Sequence, residues 1–162
     1  MGKINSRKGP VFEKKLEHLY NALGLDFLKV FRGIDIGPGK KLDNDIPLGD
    51  IDVLLINTDT KRIVCLEAKD YSESRTIWEI LSQAKKIKTA FDMPIKRDIW
   101  CRSHINSFKA VCTNVDESYS CSTAFVTFNM PAFHYIHFES KSPIRMIPAL
   151  DLVDNPMIVF DL

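Results

Sequence analysis

Two apolar runs, GDIDVLLI (49–56) and IVCLEAK (63–69), decide the fold of this chain. They flank a polar segment at 57–61, and two such runs on either side of a short polar turn are typical of a β-hairpin. We predict one strand over Asp50–Ile56 and the other over Arg62–Ala68. The hairpin is the element from which the remaining inferences are made.

The register of this hairpin follows from its turn. If the turn is centred on residues 59–60, Asp52 lies opposite Glu67 and Asp50 lies opposite Lys69. Directly opposed residues of an antiparallel pair have Cβ atoms about 4.5 to 5.5 Å apart. Since residues two apart share one face of a strand, all four charged side chains are expected on the same side.

Two carboxylates facing each other at a strand end are unfavourable unless one gains a proton or a cation joins them. Hard carboxylate oxygens suit Mg²⁺, which can polarise a phosphoryl oxygen and lower the pKa of a bound water. Lys69 lies beside Asp52 and Glu67, where an ammonium group can stabilise charge developing on phosphorus. We favour that role over a base, because the ordinary lysine pKa is about 10.4.

The rest of the chain predicts helices and further strands around the hairpin. The predicted helices are Pro10–Leu23, with Gly9 as N-cap and Gly24 at the end, Thr76–Phe91, stopped by Pro94, and Asp98–Val111. The predicted strands are Phe27–Ile36, Thr123–Phe128, Phe133–Phe138 and Met157–Phe160. This order predicts a single α/β domain over residues 1–162, with a mixed central sheet flanked by helices on both faces.

The spacing of Asp52 and the run Glu67-Ala68-Lys69 on a hairpin, followed by an amphipathic helix, resembles the PD-(D/E)XK nuclease superfamily, which has the restriction-endonuclease-like fold. The resemblance extends over roughly Pro10–Phe128. It implies an αβββαβ core and hydrolysis of nucleic-acid phosphodiesters with Mg²⁺, for which Mn²⁺ can substitute. It further implies that Asp52 and Glu67 bind the metal, that the Ala68 carbonyl adds a ligand, and that Lys69 assists the nucleophile.

Three further residues fit the same family pattern less closely. Glu13 on the first helix matches a glutamate that many relatives place in the metal site, although an early helical carboxylate also stabilises the helix dipole. Gln83 matches a glutamine of the helix after the motif, or is simply a solvated flank residue. The chain departs from the family in having no proline before Asp52, so Asp50 is an auxiliary candidate ligand.

Charge is distributed unevenly along the sequence. The segment Arg75–Arg102 has seven basic and three acidic residues, whereas Asp43–Thr60 has five aspartates and no lysine or arginine. A basic helix beside an acidic pocket suits a nucleic-acid backbone, although such a helix can also be a solvated face. The residues predicted to contact nucleic acid, with DNA favoured, are Lys85, Lys86 and Lys88, together with Lys3, Arg7, Lys8, Lys14 and Lys15.

Composition excludes several other classes of protein. The net charge of +1 argues against an indiscriminate polycation, and no apolar run approaches the roughly 18 residues needed to span a bilayer. We therefore expect a cytoplasmic protein without membrane contact. Its four cysteines are best interpreted as free thiols, with Cys65 in the core. A zinc site could also be formed by Cys101, His104, Cys112 and Cys121. These residues lack the usual spacing of a zinc knuckle.

Three functions remain open at this stage. The first is a Mg²⁺-dependent nuclease, and the second is a catalytically inactive nuclease-fold module that binds nucleic acid within a larger assembly. The third is a metal-dependent hydrolase of small phosphoesters. A homodimer would provide the two centres needed to cut both strands of a duplex. We expect Trp78 and Trp100 to be packing residues rather than base-stacking platforms.

Overall fold

The structure is a computed structural model that describes residues 8–70, 76, 78–79, 81–82, 91–128 and 144–161. The α-helices whose bounds fall within the described residues are α1 (Lys8–Asn21), α2 (Asp92–Ser103) and α3 (Ala149–Asp154). Its strands are β1 (Leu28–Gly37), β2 (Leu42–Asp43), β3 (Gly49–Asn57), β4 (Arg62–Lys69), β5 (Ser120–Thr127) and β6 (Arg145–Pro148). Two 3-10 helices cover Ile105–Ala110 and Pro156–Asp161.

The described strands form one six-stranded sheet in the order β2-β1-β3-β4-β5-β6. Strands β1, β3 and β4 are antiparallel neighbours, whereas β5 is parallel to β4 and β6 is parallel to β5. Parallel neighbours need a crossover connection, and α2 lies in the one that joins β4 to β5. The prediction of an α/β fold with a mixed sheet is confirmed.

Each face of the sheet has its own hydrophobic core. One core joins the sheet to Phe12 and Leu16 of α1 and to Leu152 of α3. The other joins the opposite face to Trp100 of α2 and to Phe108 of the first 3-10 helix. Helices therefore cover both faces, as the sequence predicts.

Strand β3 changes faces near Asp52. Val53 packs into the α1 core but Ile51 packs into the α2 core, although residues two apart share one face of a regular strand. On the neighbouring strand, Gly33 lies between the residues paired with Val53 and Ile51 and has φ +62°. Only glycine adopts this left-handed conformation without strain. The change of face in β1 and β3 therefore depends on Gly33. It places Asp52 at the position where the side chains of β3 switch from one core to the other.

Two predicted helix boundaries are wrong. Helix α1 begins at Lys8, so Gly9 is a helical residue and not the N-cap. The helix predicted over Asp98–Val111 is instead α2, which begins at Asp92 and gives way to a 3-10 helix after Ser103. Pro94 lies in the first turn of α2, where a helix needs no N–H donor, so this proline does not exclude the helix.

The strand predicted over Met157–Phe160 is also wrong, because the segment is the 3-10 helix Pro156–Asp161. Its Val159 and Phe160 are buried against the sheet, which accounts for the apolar run. A short apolar run cannot by itself distinguish a strand from a packed helical turn. For the same reason, the four-residue strand β6 was not predicted.

The helix predicted over Thr76–Phe91 begins where the sequence places it. Thr76 N donates to Glu79 Oε2 and Glu79 N donates to Thr76 Oγ1, each at 3.2 Å. This reciprocal arrangement is a capping box, which marks a helix N-terminus. Residues 83–90 and the strand predicted over Phe133–Phe138 lie outside the described residues. Within the described ranges, no helix combines the length and hydrophobicity that a membrane span requires.

Candidate active site

The hairpin has the predicted register, but its ladder ends before the predicted pairs Asp52–Glu67 and Asp50–Lys69. Strands β3 and β4 pair over five consecutive positions, ending at Val53 and Leu66. Asp52 is therefore not paired directly with Glu67. Its Oδ2 instead accepts a hydrogen bond of 2.7 Å from the N–H of Ala68. The Asp52 carboxylate thus satisfies the backbone N–H of Ala68 at the point where the backbones of β3 and β4 separate.

Asp50 was predicted to lie opposite Lys69, but the structure shows a different pairing. It pairs with Asp35 of β1, and its side chain is exposed at the start of β3. Lys69 turns instead toward its neighbour on β4, with Nζ 2.6 Å from Oε1 of Glu67. Both residues project from the same side of the strand end, as their two-residue spacing requires.

Glu67 is held between two cations. While Lys69 pairs with Oε1, the guanidinium of Arg97 donates to Oε2. Arg97 comes from α2, is 5% exposed, and also donates to the backbone carbonyl of Asp50. A buried carboxylate needs such partners, because removing an unpaired charge from water costs several kcal/mol.

Arg97 is the residue that the sequence reasoning missed. It was counted within the basic segment Arg75–Arg102 as a surface charge, yet it is among the most buried side chains of α2. The signal was its spacing, because Arg97, Trp100 and Cys101 lie three and four residues apart on the face of α2 that packs on the sheet.

The carboxyl of Asp52 binds its proton unusually tightly. Burial, and then the negative charge of Glu67, raise the pKa of Asp52 from 3.8 to about 7, against the opposing effects of Lys69 and the Ala68 N–H. The charged form of Asp52 is therefore costly here, chiefly because burial removes the carboxylate from water. Such a position favours a further cation.

Lys69 is a stable cation in this setting. Burial alone would lower the pKa of its ammonium group, but the charge and hydrogen bond of Glu67, with the charge of Asp52, outweigh burial and raise the pKa. A lysine with a raised pKa keeps its proton at neutral pH, so Lys69 offers a positive charge and is unsuited to act as a base.

Glu13 belongs to the same electrostatic cluster. It is half-buried on α1, and the pKa of its carboxyl is raised by burial and then by Asp50. Glu67 raises this pKa further, whereas Lys69 lowers it. The structure therefore brings Glu13, which is distant in sequence, toward the hairpin end that bears the other acids.

The donor set suits a hard divalent cation such as Mg²⁺ or Mn²⁺, which prefers carboxylate, carbonyl and water oxygens. Asp52 has a second oxygen that takes no part in the bond to Ala68, whereas both oxygens of Glu67 are engaged by cations. A cation bound by Glu67 would therefore have to displace Lys69 from Oε1 of Glu67. Among the described residues, no three carboxylates have oxygens within 4.8 Å of one another. The described acids are therefore not already gathered into a three-carboxylate cation site.

An aromatic ring and a lysine lie next to this centre. Phe128 is 52% exposed, and its N–H donates to the backbone carbonyl of Lys69 at 3.2 Å. Lys15 of α1 holds its ammonium 5.6 Å from the centroid of that ring. A base can stack on an exposed ring, and a phosphate can pair with an adjacent lysine.

The two tryptophans differ from each other. Trp100 is a packing residue as predicted, since it is buried and stacks on His104 with a centroid distance of 4.8 Å. For Trp78 the prediction is wrong, because its side chain is 78% exposed. The auxiliary site candidate Gln83 lies outside the described residues, and so do the predicted nucleic-acid contacts Lys85, Lys86 and Lys88.

The raised pKa of Asp52 makes the stability of the fold depend on pH. Between about pH 4 and pH 7 the folded chain keeps a proton that the unfolded chain has released, so stability falls as pH rises through this window. We expect Asp52→Asn to remove this dependence while its amide oxygen still accepts from Ala68. Relative to the wild type, the variant should gain up to about 1.4 kcal/mol per pH unit across the window, without added divalent ions.

Urea unfolding at several pH values between 4 and 8 measures this difference. Asp59→Asn is the matched control, because Asp59 is exposed in the hairpin turn and its replacement should leave the pH profile unchanged. A wild-type profile that runs parallel to that of Asp52→Asn would contradict the assigned pKa.

Comparison with known proteins found no matching family model, curated protein or solved structure. The assignment of function therefore depends on the chemistry of the centre itself.

Proposed function

We propose that this protein is a Mg²⁺-dependent nuclease that hydrolyses phosphodiester bonds of nucleic acid, with DNA as the favoured substrate. The observation that carries the proposal is the convergence of Asp52, Glu67 and Lys69 at the end of the β3–β4 hairpin. Two buried acids and a cation at a strand end have no packing role that apolar residues could not fill at lower cost.

In this proposal the metal is held by Asp52, Glu67 and the carbonyl of Ala68, with Glu13 as a further ligand and Asp50 as an auxiliary one. When bound, Mg²⁺ supplies polarisation of a phosphoryl oxygen and a lower pKa for a coordinated water. The Ala68 N–H orients Asp52, so that one carboxylate oxygen is fixed and the other is left for a ligand.

Lys69 provides a positive charge at the place where negative charge develops on phosphorus. The side chain of Lys69 is one-third exposed, so it can reach a substrate from the strand end. If Glu67 held a metal, Lys69 would lose that partner and would be available to the phosphoryl oxygens and to the attacking water. Arg97 would keep Glu67 in place during this exchange through its bond to the other carboxylate oxygen.

The arrangement of the elements also supports the proposal. Helix α1, the antiparallel strands β1, β3 and β4, the crossover helix α2 and the parallel strand β5 occur in the order of the αβββαβ core that the resemblance implies. Exposed Phe128 and Lys15 beside the centre offer stacking and phosphate contacts to a polynucleotide.

The proposal is tested by incubating the full chain with supercoiled plasmid, single-stranded DNA and RNA. We expect nicking with Mg²⁺ or Mn²⁺, none with EDTA, and recovery when Mg²⁺ is added in excess. An Asp52→Asn variant purified in parallel is the control for contaminating nuclease, because it keeps the bond to Ala68 but loses a charged ligand. Equal nicking by the wild type and this variant would contradict the proposal.

A second candidate function is a nuclease-fold module that binds nucleic acid without cutting it. The observation in its favour is that Lys69 and Arg97 already neutralise both oxygens of Glu67 without a metal. Retarded migration of DNA in a gel together with intact substrate under both Mg²⁺ and Mn²⁺ would favour this module. Cleavage of a small phosphoester that nucleic acid fails to inhibit would instead favour a phosphoesterase.

A further inference from the structure

Three cysteines meet in the core between the sheet and α2. Sγ of Cys65 lies 4.0 Å from Sγ of Cys101 and 3.9 Å from Sγ of Cys121, and all three sulfurs lie within 4.8 Å of one another. The three side chains are buried. In a tetrahedral zinc site with Zn–S bonds of about 2.3 Å, the sulfurs are about 3.8 Å apart. The observed spacings therefore match those of thiolates around one zinc ion.

Among the described residues, two buried polar atoms on the elements that carry these cysteines have no hydrogen-bond partner. One is Oδ1 of Asp98, whose residue is 1% exposed and whose other oxygen pairs with Arg102 at 2.8 Å. The other is Oγ1 of Thr123, which is the register partner of Cys65 on the adjacent strand. Buried polar atoms are nearly always satisfied, so an unsatisfied oxygen on α2 and another on β5 call for partners that the described side chains do not supply.

We propose that Cys65, Cys101 and Cys121 bind one Zn²⁺ as thiolates, with Asp98 as the fourth ligand. Three thiol protons leave as the metal–sulfur bonds form, and Asp98 binds through its carboxylate. Asp98 lies three residues before Cys101, so both side chains project from one face of α2. No Asp98 oxygen is within 4.8 Å of all three sulfurs, so coordination requires its Oδ1 to rotate toward them.

The net charge of the proposed site equals that of closed four-thiolate zinc sites, which are common structural sites. Arg102, which pairs with Oδ2 of Asp98 in this structure, is near enough to offset part of this charge. The hydroxyl of Thr123 can donate a hydrogen bond to the neighbouring thiolate of Cys65 and so gain the partner that it lacks. Outer contacts of this kind are typical of metal sites.

This set of ligands differs from the one considered from the sequence. Cys101 and Cys121 belong to it, but Cys112 and His104 do not, and Cys65 takes part although it was expected to be a core residue. The Nδ1 of His104 instead lies 2.9 Å from the carbonyl of Trp100. The set combines residues from β4, α2 and β5, so chain spacing could not reveal it.

The proposed zinc site connects β4 and α2, the same two elements that are joined by the ion pair of Glu67 and Arg97. Cys65 precedes Glu67 by two residues on β4, and Cys101 follows Arg97 by four residues on α2, so the two contacts are successive links between strand and helix. A metal here would fix α2 on the sheet. The zinc proposal does not depend on the proposed nuclease activity.

The test is the metal content of the full chain expressed with added zinc and freed of loose ions by gel filtration. We expect about one zinc per chain for the wild type and for Cys112→Ser, the matched control, and under about a tenth for Cys121→Ser. Cobalt added to metal-free protein should produce thiolate charge-transfer absorption and the visible bands of a tetrahedral ion. Asp98→Asn should change those visible bands while the sulfur absorption remains.

A variant that fails to fold does not prevent the test, because cobalt spectra of the wild type and Cys112→Ser report directly on the site. The proposal is overturned by wild-type protein that holds less than about a tenth of a zinc and shows no sulfur-to-cobalt absorption. It is also overturned if Cys121→Ser retains as much zinc as Cys112→Ser. Mg²⁺-dependent cleavage is measured separately, so either proposal can fail alone.

Discussion

Replacing Lys69 by alanine is expected to reduce Mg²⁺-dependent cleavage of DNA by at least about 100-fold, the usual loss when a group that stabilises transition-state charge is removed. The ammonium group is 2.6 Å from Glu67, keeps its proton through that contact, and is exposed enough to meet a substrate. The loss should appear in kcat rather than in affinity, because charge develops on phosphorus only as the reaction proceeds. Single-turnover cleavage of a labelled duplex measures it.

The control for this prediction is Lys61→Ala at the opposite end of the hairpin. Lys61 is an exposed lysine that pairs with the hydroxyl of Ser118, so its removal changes the net charge equally without touching the centre. Lys69→Arg should retain part of the rate, since a guanidinium keeps the charge but not the compact shape of an ammonium. Similar rates for Lys69→Ala and Lys61→Ala would exclude the proposed role of Lys69.

Local sequence pattern was sufficient for the part of the fold that is built from neighbours in the chain. The hairpin, its register and the strand before it follow from alternating side chains and a symmetric turn, because these are interactions within one antiparallel unit. The start of the helix after the hairpin followed from Thr76 and Glu79 in the same way. Where local propensity and tertiary packing agree, the sequence is a reliable guide.

The position of Asp52 illustrates where that reasoning stops. A regular ladder would have placed Asp52 opposite Glu67. Instead, β1 and β3 change faces at Gly33, and the Asp52 carboxylate accepts a hydrogen bond from the Ala68 N–H. The positive φ of Gly33 is a backbone property that apolar periodicity does not register. A single glycine within a strand run is the signal that could have indicated it.

Local sequence pattern could not predict the contacts between β4 and the crossover helix α2. Arg97 reaches Glu67 across 30 residues of sequence, and Cys101 reaches Cys65 across 36. Both depend on how α2 lies against the sheet, and the sequence placed that helix too late because Pro94 was taken to end the preceding one. The charge of Arg97 then suggested a surface residue, although its spacing with Trp100 indicates the buried face.

The largest loss of stability is expected from Arg97→Met, which should lower the free energy of unfolding by about 3 to 5 kcal/mol. The substitution keeps the apolar stem in the core but removes the donor to Glu67 Oε2 and to the carbonyl of Asp50. A buried carboxylate oxygen is then left without a partner, which is the costly way to break a buried pair. Urea unfolding at pH 7, with a thermal scan in parallel, measures the change.

A double-mutant cycle separates the pair from simple loss of packing. Adding Glu67→Gln to Arg97→Met removes the stranded charge, so the double variant should be more stable than Arg97→Met alone, with a coupling above about 1 kcal/mol. Lys96→Ala is the matched control on the same helix, because Lys96 is exposed and its loss should change stability by less than about 0.5 kcal/mol. Additive effects of the two substitutions would show that Arg97 and Glu67 do not stabilise each other, and the link between α2 and the hairpin end would then have to come from the apolar face of α2.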